Sequence, residues 1–320
     1  MSLARLVLTA LLGPPVLVGA ALCALAASLA QLGRKSPAWD VLTHGAPIYL
    51  AGGLIALAAA LVFHDRYRAV ALIAGGIAVA ASTLLMAPEY LRAAGPKAPP
   101  GAPGSFKIIQ FNAWGGDGGL QQPVAWLAAQ KPDLVIMQET NRKVRDAVAA
   151  GTGMHMTLGR TNVAIFSRDP PVAVTPLQSD ADGPMFLIDA TFRTPAGDAS
   201  VLGIHYPWPT ERDRLGQAAD LARVVRAHSV ETTILSGDFN STPWSFARRR
   251  EDQAFGLIRR TRAVFSWPAW RGLPVPLLPI DHVYAGRAWA TVSVERGPKL
   301  GSDHYPVVVT LAPVRPPSAP

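Results

Sequence analysis

The hydrophobic pattern divides the chain into an apolar amino-terminal part and a mixed remainder. Three runs contain no charged residue: 6–32, 45–63 and 69–88. Because a helix crosses a bilayer with about 20 apolar residues, the sequence predicts three transmembrane helices in a membrane domain over residues 1–90. A cleaved signal peptide is an alternative for the first run, since Arg5 precedes it. The two further runs favour permanent spans.

Beyond the third run the pattern changes to a linker and then to alternating short elements. Residues 91–105 are rich in Pro, Gly and Ala, which predicts a linker, and residues 314–320 are expected to form a disordered tail. Between them, apolar runs typical of strands lie at 106–114, 133–139, 162–168, 185–193, 200–206 and 232–235, followed by three more from Ile280 onward. Helical segments are predicted at 123–130, 141–150 and about 210–228. This order predicts an α+β catalytic domain over 106–313 with at least two packed layers.

Polar residues follow the apolar runs, where strands are expected to end. They are Asn112, Glu139, His205, Asp238 with Asn240, Asp281 with His282, and Asp303 with His304. Any one of them could simply form a turn. Together they supply carboxylate, amide and imidazole groups, and no cysteine occurs after Cys23, which excludes a thiolate metal site from the domain. This set favours Mg²⁺, or Mn²⁺, and phosphoryl chemistry.

Six stretches carry a family resemblance. They are "QFNAW", "PDLVIMQET", "IHYPWP", "LSGDFNSTPWS", "PIDHVYAG" and "GSDHYPVVV", in this order along the chain. The set resembles the endonuclease/exonuclease/phosphatase superfamily, which includes deoxyribonuclease I. With its three apolar runs, the chain is similar to a bacterial membrane-attached branch of that superfamily. The resemblance implies two β-sheets packed face to face with outer helices, a four-layer αββα sandwich.

The resemblance also implies a metal-binding set. Glu139 would be the main ligand, Asn112 would bind metal or phosphate beside it, and Asp303 would lie close to the metal or its waters. Some nuclease members have an acidic residue where this chain has Trp114, so coordination from that strand is expected to be thinner.

The catalytic roles implied by the resemblance fall on five residues. Asp238 would hold or deprotonate the attacking water and Asn240 would orient it. His304 would donate to the phosphoryl oxygens, and Asp281 would orient the His304 ring and favour its protonated form. His205 would be the general acid for the leaving oxygen.

A basic and aromatic stretch follows the "GDFN" turn. Arg248, Arg249 and Trp267 are candidates for binding a phosphate backbone and its bases; the alternative is a solvated helix with packed tryptophans. The net charge of +8 adds little to the choice.

The sequence therefore predicts a Mg²⁺-dependent phosphoesterase tethered to the lipid bilayer, with nucleic acid as the favoured substrate. Phospholipid headgroup cleavage, a non-catalytic binding domain of the same fold and a transporter-like membrane protein are the alternatives. The expected location is a bacterial inner membrane with the catalytic domain on the periplasmic side, and no protein partner is inferred.

Overall fold

A computed structural model describes residues 3–159, 162–176, 186–211, 214–270, 272 and 275–314, without the side chains of residues 3–6, 214 and 215. The predicted tail from residue 315, the predicted strand start at 185 and residues 212–213 of the predicted third helix lie outside these ranges. The described chain forms two compact units. The first comprises Met1–Arg92 with Thr242–Arg249, and the second comprises Ala93–Ser241 with Arg250–Pro320.

Helices make up most of the first unit. They are α1 (Leu3–Ala30), the short α2 (Pro37–Asp40), α3 (Ala46–Ala59) and α4 (Asp65–Leu91). In the part of the chain that the structure describes, three helical segments could cross a membrane by length and composition: Val7–Arg34, Pro37–Ala59 and Asp65–Leu91. The three predicted apolar helices are therefore confirmed as helices.

Small residues bring the helices of the first unit close together. A Cβ added at Gly53 of α3 would lie 2.9 Å from the carbonyl oxygen of Gly75 in α4, and one added at Gly75 would lie 2.9 Å from the carbonyl oxygen of Gly53. Larger side chains at these positions would force the two backbones apart. Such contacts between small residues are typical of helices that pack within a bilayer.

The segment Thr242–Arg249 is fixed within the first unit by Asp40. This buried carboxylate accepts hydrogen bonds from the Ser245 hydroxyl (2.9 Å) and from the backbone N–H groups of Phe246 and Ala247 (both 2.8 Å). These two N–H groups lie in the first turn of helix α8 (Phe246–Phe255), where intrahelical acceptors are missing. Asp40 therefore caps a helix that begins far away in sequence.

Two six-stranded sheets form the second unit. The strands are β1 (Phe106–Asn112), β2 (Leu134–Gln138), β3 (His155–Leu158), β4 (Ala164–Ser167), β5 (Ala173–Thr175), β6 (Leu187–Thr194), β7 (Gly197–His205), β8 (Ile234–Asp238), β9 (Ile258–Arg259), β10 (Asp281–Ala285), β11 (Trp289–Arg296) and β12 (Val307–Pro313). Sheet A has the order β11-β12-β1-β2-β4-β3, and sheet B has the order β5-β6-β7-β8-β10-β9. Each sheet has one parallel pair at its centre, β1 with β2 and β7 with β8.

The sheets pack face to face, and helices cover their outer faces. The core between the sheets contains Ile108, Ile136 and Val309 from sheet A with Val201 and Val283 from sheet B. Helices α5 (Gln121–Gln130) and α6 (Arg142–Thr152) cover sheet A, and α7 (Arg214–Arg226) covers sheet B. The predicted α+β fold with two facing sheets and outer helices is confirmed.

The predicted linker pairs with the edge of sheet A. The N–H of Thr291 in β11 donates to the carbonyl of Pro96 (2.9 Å), and the N–H of Ala98 donates to the carbonyl of Thr291 (3.0 Å). Residues 96–98 therefore extend the sheet instead of forming a free spacer. Helix α4 continues to Leu91, so only residues 92–95 lie between the end of this helix and the paired segment 96–98.

Candidate active site

The two central parallel pairs bring four polar residues to one end of the sandwich. Asn112 ends β1 and Glu139 directly follows β2, while His205 ends β7 and Asp238 ends β8. Neighbouring parallel strands have their carboxyl ends on the same side of the sheet, so each pair presents two functional groups there. The register places Asn112 beside Gln138 and His205 beside Asp238.

Two antiparallel strands add residues at this same end because they begin where their neighbours finish. Asp281, the first residue of β10, pairs with Asp238. His304 precedes β12, whose Val307 pairs with Gln110 near the end of β1. The topology thus brings Asp281 and His304 to the carboxyl ends of the parallel strands.

The Asn112 amide lies between two carboxylates. Its Nδ2 donates to Glu139 Oε1 (2.9 Å) and to Asp238 Oδ2 (3.0 Å), while its Oδ1 accepts from the N–H of Trp114 (3.0 Å). One amide therefore fixes two carboxylates at short separation. The Glu139 side chain is 35% exposed, which leaves it accessible from solvent, whereas Asp238 is buried.

The "GDFN" turn is held in an unusual backbone conformation. Asn240 has φ of 47°, and its N–H donates to Asp238 Oδ1 (2.8 Å) while its Nδ2 donates to the Tyr206 carbonyl (2.8 Å). Only glycine fits at position 237, because a Cβ there would lie 2.0 Å from the carbonyl oxygen of Ile204. The turn therefore places a carboxylate and an amide side by side at the end of a buried strand.

A buried ion pair lies next to Asp238. His304 Nδ1 is 2.8 Å from Asp281 Oδ2, and Asp281 Oδ1 accepts from Gln110 Nε2 (3.0 Å). Burial alone would lower the pKa of His304, but the carboxylates of Asp281 and Asp238 raise that pKa to about 10. Burial alone would raise the pKa of Asp281, yet the charge and hydrogen bond of His304 leave it lowered. At neutral pH His304 is therefore a cation held by an ionised Asp281.

Asp238 has the opposite electrostatic balance. Burial, partly offset by the charge of His304, raises the pKa of Asp238. His304 Nε2 is 3.6 Å from Asp238 Oδ2, and His205 Nε2 is 3.8 Å from the same oxygen. A carboxylate with a raised pKa is a better proton acceptor than an ordinary one, which suits a general base.

Among the described residues, two groups of three side chains are close enough to hold a cation. Ligand atoms of Glu139, His205 and Asp238 lie within 4.8 Å of one another, and so do those of Asp238, Asp281 and His304. In the second group the charge on His304 already neutralises a carboxylate. In the first group the carboxylates of Asp238 and of the accessible Glu139 offer the oxygen ligands that Mg²⁺ or Mn²⁺ prefers, and His205 lies beside them.

Comparison with known proteins agrees with this geometry. The sequence profile of the Endonuclease/Exonuclease/phosphatase family matches residues 109–304, more than half of the chain. The chain belongs to this family. A comparison with curated protein sequences finds no match.

Solved structures of similar fold support the family assignment. An endonuclease/exonuclease/phosphatase from Beutenbergia cavernae DSM 12333 is 20% identical, with 67% of this chain and 73% of that chain covered and a TM-score of 0.52. An AP endonuclease from Archaeoglobus fulgidus is 21% identical, and a 3'-5' exonuclease from Neisseria meningitidis is 22% identical. For each of these two, 64% of this chain and 98% of the other are covered, with a TM-score of 0.53. At these identities the likeness shows the DNase I-like fold.

The structure brings together most of the residues that the sequence singled out. Glu139, Asn112, His205, Asp238, Asn240, Asp281 and His304 form one continuous set of contacts. Asp303 lies beside them, with its Oδ1 4.0 Å from His304 Nε2 and its Oδ2 accepting from Trp267 Nε1 (3.1 Å). Trp267 is thus hydrogen-bonded to a residue at the border of the candidate active site.

Arg248 and Arg249 belong to the first unit. Arg248 is fully buried, and Arg249 donates to the carbonyl of Leu85 and lies over the ring of Phe246. Full burial contradicts the prediction of a phosphate-binding surface at Arg248, because a substrate could not reach the guanidinium. The hydrogen bond and ring contact of Arg249 are those of a packed residue.

Three further residues hold the site residues in place and are not among the predicted site residues. Gln110 is fully buried and binds Asp281, Ser302 donates to the Asn112 carbonyl (2.8 Å), and Asn162 Oδ1 lies 3.3 Å from His205 Nδ1. Gln110 had a readable signal, since it shares a strand face with Asn112 inside an otherwise apolar run. Ser302 lies within the "GSDHYPVVV" stretch, directly before Asp303, whereas Asn162 lies in a loop whose sequence gives no such pattern.

Proposed function

We propose that this family member hydrolyses phosphodiester bonds in nucleic acid with a divalent cation, while its amino-terminal helices attach it to a membrane. The observation that carries the chemistry is the convergence of the Glu139–Asn112–Asp238 contacts with the Asp281–His304 ion pair. A base with a raised pKa and a cation held by a second carboxylate are the groups that in-line attack on phosphorus requires.

The proposed mechanism begins at Asp238. Its carboxylate accepts a proton from the attacking water, and the Asn240 side chain orients that water while its Nδ2 remains bound to Tyr206. His304, protonated at neutral pH, donates from Nε2 to a phosphoryl oxygen as negative charge builds. Asp281 keeps the His304 ring in place through Nδ1. His205, whose Nε2 lies 3.8 Å from both Glu139 and Asp238, protonates the leaving oxygen.

Glu139 is the main residue proposed to hold the cation, and Asn112 keeps its carboxylate aligned with that of Asp238. A Mg²⁺ or Mn²⁺ ion bound there would neutralise charge on the phosphate and stabilise the transition state. Asp303 is proposed to act on water around the ion. Its bond to Trp267 fixes the direction of its carboxylate.

An aromatic cluster supports nucleic acid as the substrate. Trp267 contacts Trp208 and Trp270 edge-on, with ring centroids 5.7 Å and 5.4 Å apart, and the two outer rings are 45% and 52% exposed. Exposed indole rings next to a phosphate-cleaving site can stack on bases, at about 1–3 kcal/mol for each base. Two of the proteins of similar fold are named as nucleases, an AP endonuclease and a 3'-5' exonuclease.

Phospholipid headgroup cleavage is the second candidate. It is favoured by the three helices long enough to cross a bilayer, because attachment would raise the local concentration of lipid phosphates around the site. Exposed tryptophans also suit a membrane interface.

The test uses the full chain in a neutral detergent, because residues 242–249 belong to the helical unit. DNA, RNA and phospholipid vesicles are incubated with Mg²⁺, with Mn²⁺ and with chelator, and Asp238→Asn serves as the inactive control. Shortened nucleic acid that requires metal, together with a raised KM in Trp270→Ala, is the expected result. Intact nucleic acid with release of a phosphorylated headgroup would replace this proposal with the lipid candidate, and no hydrolysis would refute both.

A further inference from the structure

A second polar cleft lies in the sandwich unit, away from the catalytic residues. Its volume is about 380 Å³, and its polar walls are Lys97, Arg260, Arg262, Thr291 and Ser293. Valine side chains complete the lining, and among the described residues that line it none is acidic. The cleft therefore combines three cationic groups, two hydroxyls and an apolar wall.

Strand register separates this cleft from the catalytic residues. Thr291 pairs with Leu311, which pairs with Phe106 at the start of β1. Asn112 lies six residues further along β1, about 20 Å at the rise of a strand. The cleft is thus a separate feature at the opposite end of sheet A.

The cationic groups are held in place by the local backbone. Arg260 Nη2 donates to the carbonyls of Gly286 (2.7 Å) and Trp289 (2.8 Å), and its Nη1 lies 3.4 Å from Thr291 Oγ1. The side chain is 5% exposed, so its guanidinium is fixed before any ligand arrives. A site with a fixed cation loses little conformational entropy on binding.

The linker lines one side of the cleft with Ala94 and Lys97. Lys97 forms an isolated parallel bridge with Thr291, and the register of β11 on β12 shifts between Thr291 and Ser293. Gly95 has φ of +76°, and a Cβ there would lie 2.8 Å from Arg260 Nη1. The linker backbone therefore passes directly over the guanidinium, which a larger residue would prevent.

We infer that this cleft binds the phosphate headgroup of an anionic phospholipid. Its volume exceeds that of an inorganic phosphate and lies in the range of sites for small organic ligands, and its valines can contact the glycerol and the start of the acyl chains. The chain limits the distance to the predicted bilayer, because Ala94 follows Leu91 of α4 by three residues, which span at most about 10 Å. This inference rests on the proposed membrane attachment and is independent of the proposed catalysis.

The experiment measures lipid binding by the full chain in neutral detergent. Dihexanoyl phosphatidylglycerol is titrated and its adducts are counted by native mass spectrometry, with dihexanoyl phosphatidylcholine and inorganic phosphate as parallel ligands. The test variant is Lys97→Gln/Arg262→Gln. The control is Arg142→Gln/Lys143→Gln, which removes the same two charges from α6, where the Arg142 side chain is 92% exposed.

We expect one saturable phosphatidylglycerol site in the wild type and the control, weakened about tenfold or more in the cleft variant, since each basic residue contributes about a factor of five. Asp238→Asn should bind the lipid as the wild type does, which separates this site from the catalytic one. Equal binding by the cleft variant, or equal binding of phosphatidylcholine, would overturn the inference. Displacement of the lipid by equimolar inorganic phosphate would show that the cleft takes a free anion.

Membrane attachment itself is tested by a separate measurement, so its failure can be distinguished from failure of the lipid site. Alkaline carbonate extraction of cell membranes should leave the chain in the pellet if the helices span the bilayer. Release into the supernatant would refute attachment, and loss of the tenfold difference in the binding assay would refute the lipid site.

Discussion

Replacing Asp281 with Asn should make hydrolysis sensitive to alkali. The substitution keeps the shape of the side chain but removes the charge that lies 2.8 Å from His304 Nδ1. A hydrogen bond to a charged group contributes about 1.5–3 kcal/mol, and each pKa unit corresponds to about 1.4 kcal/mol. The pKa of His304 should therefore fall by about one to two units from its value of about 10.

The sign of the effect on kcat/KM follows from the proposed mechanism, which needs His304 in its protonated form. In the wild type His304 remains protonated until the pH approaches about 10, so kcat/KM should fall on the alkaline side only near that pH. In Asp281→Asn the fall should begin about one to two units lower, while activity near pH 6 changes least.

The assay is kcat/KM for bis(p-nitrophenyl) phosphate with Mg²⁺ from pH 6 to 10.5. Asp146→Asn is the matched control, because its carboxylate is 63% exposed on α6. An alkaline limb at the same pH in variant and wild type would refute the reasoning. A loss of equal size at every pH would show that Asp281 acts by orientation and not through its charge.

Four other predictions concern the catalytic residues, the cation, the Asp40 cap and the membrane topology. Asp238→Ala and His304→Ala should each lower metal-dependent turnover by at least about a hundredfold with the circular dichroism spectrum unchanged, and retained activity in both would exclude the proposed base and phosphoryl donor. Glu139→Gln should raise the Mg²⁺ concentration for half-maximal activity by about tenfold or more, since a charged ligand is lost; an unchanged metal titration would place the cation elsewhere. Asp40→Ala should lower the free energy of unfolding by about 1–3 kcal/mol through loss of the α8 cap, seen as a lower melting temperature in detergent than that of the exposed Asp169→Ala control. Alkaline phosphatase fused after Pro320 should be active if the catalytic domain is periplasmic, whereas an inactive fusion beside an active cytoplasmic reporter would reverse the topology.

Central elements could be predicted from sequence because burial leaves a pattern in them. Strands β1, β2 and β8 are buried along almost their whole length, and their apolar runs are followed by the polar residues of the site. The strands missed by the pattern, β3, β5 and β9, are three of the four sheet edges. An edge strand has one neighbour and little burial, so β5, which is exposed at every position, shows no hydrophobic signature.

The candidate site could be predicted for a related reason, whereas a supporting residue such as Asn162 could not. Asp238 stands at the end of β8, where a buried run gives way to a turn, whereas Asp281 is the first residue of β10 and pairs with Asp238. The prediction for Arg248 is wrong because arginines are ordinarily solvated, whereas this one is buried in a unit whose helices α1 to α4 lie more than 150 residues upstream. Long-range contacts of this kind leave no periodic signal.

The cap that Asp40 provides has a consequence for the order in which the chain can finish folding. The ribosome delivers Asp40 205 residues before Ser245, a delay of about 10–40 s at typical elongation rates. Throughout that interval the amino-terminal helices exist without the segment that completes their unit. The same segment interrupts the sandwich sequence between Ser241 and Arg250, so the sandwich also awaits residues made after it. The two units therefore cannot be completed one after the other during synthesis. A chain cut between them would leave the helices without Thr242–Arg249 and the first turn of α8 without the carboxylate of Asp40.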